Sequence, residues 1–319
     1  MTMNLIAARS QAGPRSLRVL NLMGSTVSDR LGSALPNLEI VDVPAGAAPP
    51  DLEGDVLLAW HAESAIPLAR RVPWVHVYGT GVDWLPDDVF AGRIVTCGRG
   101  ASAIPIAEFT LGAILAFEKK LPEIWIDDAA AWKSTELGSL HGQTLGLVGL
   151  GAIGGEIARR ALAFGMRVVA LRRRVEAPSP DGVSVVSSLE ELLPHADHLV
   201  LAAPATARTR HLIDDRALAL VKPGVHLVNV ARGTLVDTAA LKQALDDGRV
   251  ARATIDATDP EPLPAGHWLY SHPRVRLSPH TSALCGVARA TAERLAIENL
   301  RRYGQGEPLA GVVDPEERY

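Results

Sequence analysis

The chain has 319 residues, of which 47% are apolar and 21% charged, with a formal net charge of −4. That length exceeds one small core and suggests two domains at about 150 residues each, while the mild negative charge gives no electrostatic case for nucleic acid as a partner. No membrane contact is expected either, because no apolar run reaches the roughly 18 residues that span a bilayer, the longest, around Ile104 to Phe117, being broken by Glu108.

Polar and small residues dominate Met1 to Ser16, which reads as a frayed tail without the apolar centre of a signal peptide, so a cytoplasmic location is expected. Cys97 and Cys285 stand far apart and outside any metal-ligand spacing. Neither a disulfide nor a metal site is expected, and both read as small packing residues. Leu17 to Met23 then reads as a strand, Ser25 to Leu35 as a helix and Leu38 to Val43 as a second strand. Short apolar runs at Asp55 to Trp60, Val75 to Tyr78 and Ile94 to Cys97 continue the series, so this part is expected to form a parallel sheet covered by helices. From Pro105 to about Leu121, Ile106, Phe109, Leu111, Ile114 and Leu115 recur at helical spacing, and this helix is expected to cross between domains.

After a loop with Trp125 and Trp132, a strand from Thr144 opens onto Gly149-x-Gly151-x-x-Gly154, followed by a helix and the second strand Met166 to Leu171. Glycines at these places allow a tight turn, close approach of a pyrophosphate and packing of helix on strand. The helix start, with Ala152 and Ile153, would aim its free N–H groups at phosphates. This is read as a dinucleotide site. Further strands are expected at Val183 to Val186, His198 to Ala203, Val225 to Val230 and Ala251 to Asp256, alternating with helices at Ser188 to Pro194, Asp214 to Val221 and Thr238 to Asp247. Ser282 to Tyr303 is a last helix, expected to return to the first domain.

In open parallel sheets ligands bind beyond the carboxyl ends of the strands. Arg232 follows one such end, Glu261 lies just beyond the next, and His280 ends a short run after that. An arginine, a carboxylate and a histidine beside a nicotinamide supply what reduction of a 2-keto acid requires. The arginine can hold the substrate carboxylate with a forked pair of hydrogen bonds. The histidine can protonate the carbonyl oxygen, and the carboxylate can favour the charged imidazole.

Several motifs resemble the D-isomer-specific 2-hydroxyacid dehydrogenase family over nearly the whole chain. They are the three glycines, Asn229-Val-Ala-Arg232-Gly233-x-Leu235-Val-Asp237, Asp256-x-x-x-Pro260-Glu261-Pro262-Leu-Pro, Ser278-Pro279-His280, Tyr78-Gly79-Thr80-Gly81-Val82-Asp83 and Ile106-Ala107-Glu108. The resemblance implies an α/β fold of two doubly wound parallel-sheet domains. A Rossmann domain, residues 103–283, would be inserted in a discontinuous flavodoxin-like substrate domain, residues 1–102 and 284–319. It also implies an active site in the cleft, with Arg232, Glu261 and His280 as catalytic residues and the Gly79, Thr80 and Gly81 turn receiving the substrate carboxylate. Ala203, Pro204, Thr209, Val230, Ala231 and Asp256 would line the cofactor, Asp256 near the nicotinamide ribose or carboxamide, and a homodimer would form through the nucleotide domains.

One departure bears on the cofactor. Where the acidic residue for the adenine ribose is expected, this chain has Leu171-Arg172-Arg173-Arg174. Arg172 and Arg173 would attract a 2′-phosphate, so NADP(H) is favoured and NAD(H) remains possible. The expected activity is reduction of a small 2-keto acid of the glyoxylate or hydroxypyruvate kind to the D-2-hydroxy acid, or the reverse. No appended regulatory domain is expected after the last helix. The alternative is a non-enzymatic dinucleotide-sensing regulator on the same fold, which need not keep Arg232, Glu261 and His280. The residues leave open the exact 2-hydroxy acid and whether Trp132, Trp268 and Tyr270 shape a pocket or pack.

Overall fold

A computed structural model describes residues 16–44, 51–60 and 63–319; the expected tail, up to residue 15, lies outside the described residues. The chain divides into two compact units, Met1–Ser102 with Cys285–Tyr319, and Ala103–Leu284.

In the first unit the strands are β1 (Arg18–Asn21), β2 (Glu39–Asp42), β3 (Val56–Ala59), β4 (Trp74–Val77) and β5 (Ile94–Cys97). They pair in parallel in the order β2-β1-β3-β4-β5, the flavodoxin-like order. Because side chains alternate along a strand, Val56 and Leu58 face one core with Trp74 and Ile94, while Leu57 and Ala59 face the other with Val75 and Val77. The first core is closed by helix α1 (Ser25–Ala34), through Val27 and Leu31, and by the last helix, Gly286–Gln305, through Ala292, Ala296, Leu300 and Tyr303.

The second unit holds β6 (Thr144–Val148), β7 (Arg167–Leu171), β8 (Val183–Val186), β9 (His198–Leu201), β10 (Val225–Asn229), β11 (Val250–Ile255) and β12 (Val275–Leu277). Their order is β12-β11-β10-β9-β6-β7-β8, parallel throughout. Helices α2 (Ala103–Glu118) and α3 (Ala152–Ala163) cover one face through Ile106, Leu111, Ile114, Ile157 and Ala161. On the other, α4 (Asp215–Leu220) and α5 (Thr238–Asp246) contribute Leu218, Leu241 and Leu245. Both sheets are doubly wound, as expected, and in the larger one the winding reverses between β6 and β9, the place where open parallel sheets bind their ligands.

Two expectations need correction. The last helix starts at Gly286, not at Ser282. The backbone N–H groups of Thr281 and Ser282 are bound by the Asp256 carboxylate at 2.9 and 3.0 Å, and Cys285 Sγ instead accepts from Ala288 N at 3.4 Å as the helix cap. Cys285 is therefore an exposed capping residue, and only Cys97 is a buried packing one. No helix among the described residues is long and apolar enough to cross a membrane.

Candidate active site

The nucleotide turn begins where β6 ends. Gly149 has φ +100°, and a Cβ there would lie 2.7 Å from Ala203 N, so the turn lies flush against the end of β9. A Cβ on Gly154 would overlap the Gly149 carbonyl, which brings α3 down onto the strand end. Gly151 caps the helix and faces open space, leaving the N–H groups that open the helix, at Ala152 and Ile153, available to phosphate oxygens. These residues fit a dinucleotide pyrophosphate, since the two glycines allow close packing behind the turn and Gly151 leaves room in front.

At the end of β7, Arg172 turns back on its own loop, donating from Nη1 to Pro178 O at 2.9 Å and from Nη2 to Val175 O at 3.1 Å. Arg173 beside it is exposed. Across the switch point, Thr209 Oγ1 donates to Pro204 O at 2.7 Å and accepts from Thr206 N at 2.8 Å, closing the loop that follows Ala203.

Beyond β10 the chain is knitted by Asn229. Its Oδ1 accepts from Ala231 N at 3.0 Å and its Nδ2 donates to Arg232 O at 2.9 Å, fixing the Val230, Ala231 and Arg232 turn. The half-buried Arg232 donates from Nη1 to Ala231 O at 2.9 Å. Gly233 follows because a Cβ there would overlap the Thr258–Asp259 peptide. That close approach sets the arginine turn against the loop after β11.

In that loop Glu261 Oε1 accepts from Thr258 N at 2.9 Å, and Oε2 faces His280 Nδ1 at 2.9 Å. Burial pushes the Glu261 carboxyl up, but the hydrogen bonds from His280 and Thr258 and the charges of His280 and Arg232 outweigh it, holding it below the usual carboxylate range. With Nδ1 committed to Glu261, Nε2 is the ring nitrogen that can serve a substrate. His280 has φ +49°, a left-handed backbone rare for a non-glycine residue. Asp256 imposes it: its carbonyl accepts from His280 N at 2.8 Å, Oδ1 from Ser278 Oγ at 2.6 Å and Thr281 N at 2.9 Å, and Oδ2 from Ser282 N at 3.0 Å. The buried Asp256, expected beside the nicotinamide, directs both carboxylate oxygens at the loop that carries the histidine.

Arg232, Glu261 and His280 are thus brought together at the carboxyl ends of three adjacent strands. Gly79, Thr80 and Gly81 belong to the other unit, after β4, where Gly98 N donates to Val77 O and Gly79 O at 2.8 and 2.9 Å and holds the turn. Asn229 and Ser278 were marked in the sequence only as members of the family motifs, and Thr258 was not marked at all; its offset from the end of β11 is the one signal that could have found it.

Residues 111–282, more than half of the chain, match the family model for the D-isomer specific 2-hydroxyacid dehydrogenase NAD binding domain. The chain belongs to the D-isomer-specific 2-hydroxyacid dehydrogenase family. Among members of this family, a glyoxylate reductase of Aeropyrum pernix is 36% identical over 237 residues, covering 70% of each chain. A D-3-phosphoglycerate dehydrogenase of Methanocaldococcus jannaschii is 34% identical over 77% of this chain and 48% of its own, so the chain spans about half the length of that relative. A D-isomer specific 2-hydroxyacid dehydrogenase of Xanthobacter autotrophicus Py2, solved in complex with NADPH and MES, superposes with a TM-score of 0.81 at 28% identity, covering 95% of this chain and all of that one. As in other 2-hydroxyacid dehydrogenases, the cofactor class is a nicotinamide dinucleotide.

Proposed function

We propose that this protein reduces a small 2-keto acid of the glyoxylate or hydroxypyruvate kind to the D-2-hydroxy acid, with NADP(H) preferred over NAD(H). The observation that carries the reading is the His280 Nδ1 to Glu261 Oε2 pair at 2.9 Å with Arg232 set against it by Gly233. When bound, the reduced nicotinamide supplies a hydride for the keto carbon. Arg232 holds the substrate carboxylate and polarises the carbonyl. His280 Nε2 gives its proton to the carbonyl oxygen, and the ionised Glu261 favours the imidazolium that does so. In the reverse direction the neutral imidazole takes the proton back.

Support for NADP(H) comes from the end of β7, where arginines stand in place of a carboxylate. Arg172 shapes the loop through Val175 and Pro178, and Arg173, exposed beside it, adds positive charge where a 2′-phosphate would lie. A homodimer is proposed because Trp125 and Trp132, 73% and 82% exposed, lie in one segment with the exposed Ile126 and Leu137, an apolar surface of the kind a partner covers. A panel of 2-keto acids assayed with NADPH and with NADH tests the reading. Turnover of a short 2-keto acid with NADPH is expected, and cofactor binding without turnover of any panel member would contradict it.

A further inference from the structure

Where β9 and β10 begin, the second unit encloses a string of polar side chains that the proposed chemistry does not use. His198 opens β9 and pairs in register with His226 of β10, and both are fully buried. Their Nδ1 atoms face each other at 3.4 Å. On the far side of His198, Nε2 lies 2.6 Å from Gln143 Oε1 and 3.3 Å from Glu118 Oε1. On the far side of His226, Nε2 lies 2.9 Å from Thr254 Oγ1. Phe117 stacks on His226 at 4.6 Å and meets His198 edge-on at 5.8 Å, sealing the pair.

Proton counting decides what this string can do. Two oxygen acceptors at His198 Nε2 require a proton there. The Thr254 hydroxyl can give or accept, so it leaves His226 free to take either tautomer. Between the two Nδ1 atoms there is room for one hydrogen, given by one ring and accepted by the other. A second would set two N–H groups head to head in a site sealed from solvent, where nothing compensates them.

The charges around the pair are unequal. Glu118 on α2 is held below the usual carboxylate range chiefly by its hydrogen bond with His198, and Asp197, which precedes β9 and is paired with Lys222, is lowered in part by the same ring. Arg252 on β11, with its guanidinium 5.4 Å from the Phe117 ring, faces His226. Burial, His198 and Arg252 together hold His226 well below the ordinary histidine range. It folds neutral and stabilises the fold at neutral pH. That contribution is lost as pH falls below the unfolded histidine value of about 6.5.

Glu118 ends α2, and the segment after it folds back onto this residue. Gly138 N donates to Glu118 O at 3.0 Å, Lys119 Nζ donates to Gly138 O at 2.6 Å, and Lys120 Nζ donates to Glu136 O at 2.7 Å. A Cβ at position 138 would overlap Glu118 Oε2, so the glycine sits directly on the carboxylate. The buried string and the segment bearing Trp125 and Trp132 therefore share one anchor.

We propose that Glu118, His198 and His226 form an acid-sensitive latch, in which a second proton between the imidazoles separates them and frees residues 119–139 from the end of α2. Hydrogen exchange on the full chain tests it, at about pH 7.5 and about pH 5.5 with rates corrected for intrinsic exchange, a window across which a histidine released to solvent titrates and carboxylates do not. Peptides covering 119–139 are expected to lose protection by about tenfold or more on acidification while those covering β7 and β8 do not. In His226→Phe, which keeps a flat ring without a second titrating site, that loss is expected to vanish. Unchanged protection of 119–139 in the wild type, or an equal acid loss in His226→Phe, overturns the latch. Should the variant not fold, nitrogen NMR of the histidine rings in the wild type decides. One shared Nδ1 proton at neutral pH supports the latch, and two imidazolium rings coexisting with a protected 119–139 segment overturn it.

Discussion

Glu261 divides its two oxygens between two tasks, one fixed by the Thr258 N–H and the other turned to His280. Neither task survives a change of the first contact, so Gly233→Ala, whose Cβ would overlap the Thr258–Asp259 peptide, is expected to push the arginine turn and the Glu261 loop apart. The cost is about 1–3 kcal/mol of stability together with a fall in kcat, measured by denaturant unfolding and turnover; unchanged values for both would contradict the packing argument. Arg232→Lys keeps the charge and loses the fork. Catalytic efficiency should fall by roughly ten- to a hundredfold, the range of one or two charge-assisted hydrogen bonds, while cofactor affinity read by fluorescence stays level. A lysine variant with most of its efficiency would leave Arg232 a structural role only. At this scale Arg232, Glu261 and His280 were legible because each follows a strand end with a side chain of distinctive chemistry. Thr258 was not, since it acts through its backbone N–H, and Asn229 was visible as a motif member but not as the residue that ties the turn.

At the scale of elements, the strands were legible wherever an apolar run stood between breakers, and Ile94–Cys97 and Val183–Val186 fall where they were expected. The start of the last helix was not legible. It depends on Asp256, 26 residues before Ser282 in the chain, whose carboxylate holds the Thr281 and Ser282 N–H groups in the loop that carries His280. The same clamp holds His280 in its left-handed backbone. Asp256→Ala would leave the buried Ser282 N–H without its acceptor, costing about 1–3 kcal/mol. Ser278→Ala removes one arm only, so it should lower kcat for keto-acid reduction with little change in cofactor affinity. A Ser278→Ala enzyme with wild-type kcat would show that the clamp does not set the histidine's aim.

For the whole molecule, two windings could be read from two alternations of strand and helix, and the last helix, Gly286–Gln305, lies in the unit that holds β1 to β5. The proposed preference for NADP(H) rests on the loop after β7. Arg173→Ala is expected to raise KM for NADPH far more than for NADH, and Arg172→Ala to weaken both through the loop it ties at Val175 and Pro178; equal effects of Arg173→Ala on the two cofactors would remove it from phosphate recognition. The central claim is that Glu261 and His280 act as one proton-donating unit in keto-acid reduction. Reduction draws its proton from the imidazolium, so efficiency should decline as pH rises through the imidazole's titration. Glu261 is held below the usual carboxylate range and is therefore charged throughout that window, where it favours the imidazolium. Glu261→Gln should thus move the decline to lower pH, with a larger loss on the alkaline side than on the acidic side. The most direct measurement is the pH dependence of kcat/KM for reduction with NADPH in wild type, Glu261→Gln and His280→Ala. A decline displaced to lower pH in Glu261→Gln, with His280→Ala at least about a hundredfold slower throughout, is the predicted result, and an undisplaced profile or substantial reduction by His280→Ala would contradict it.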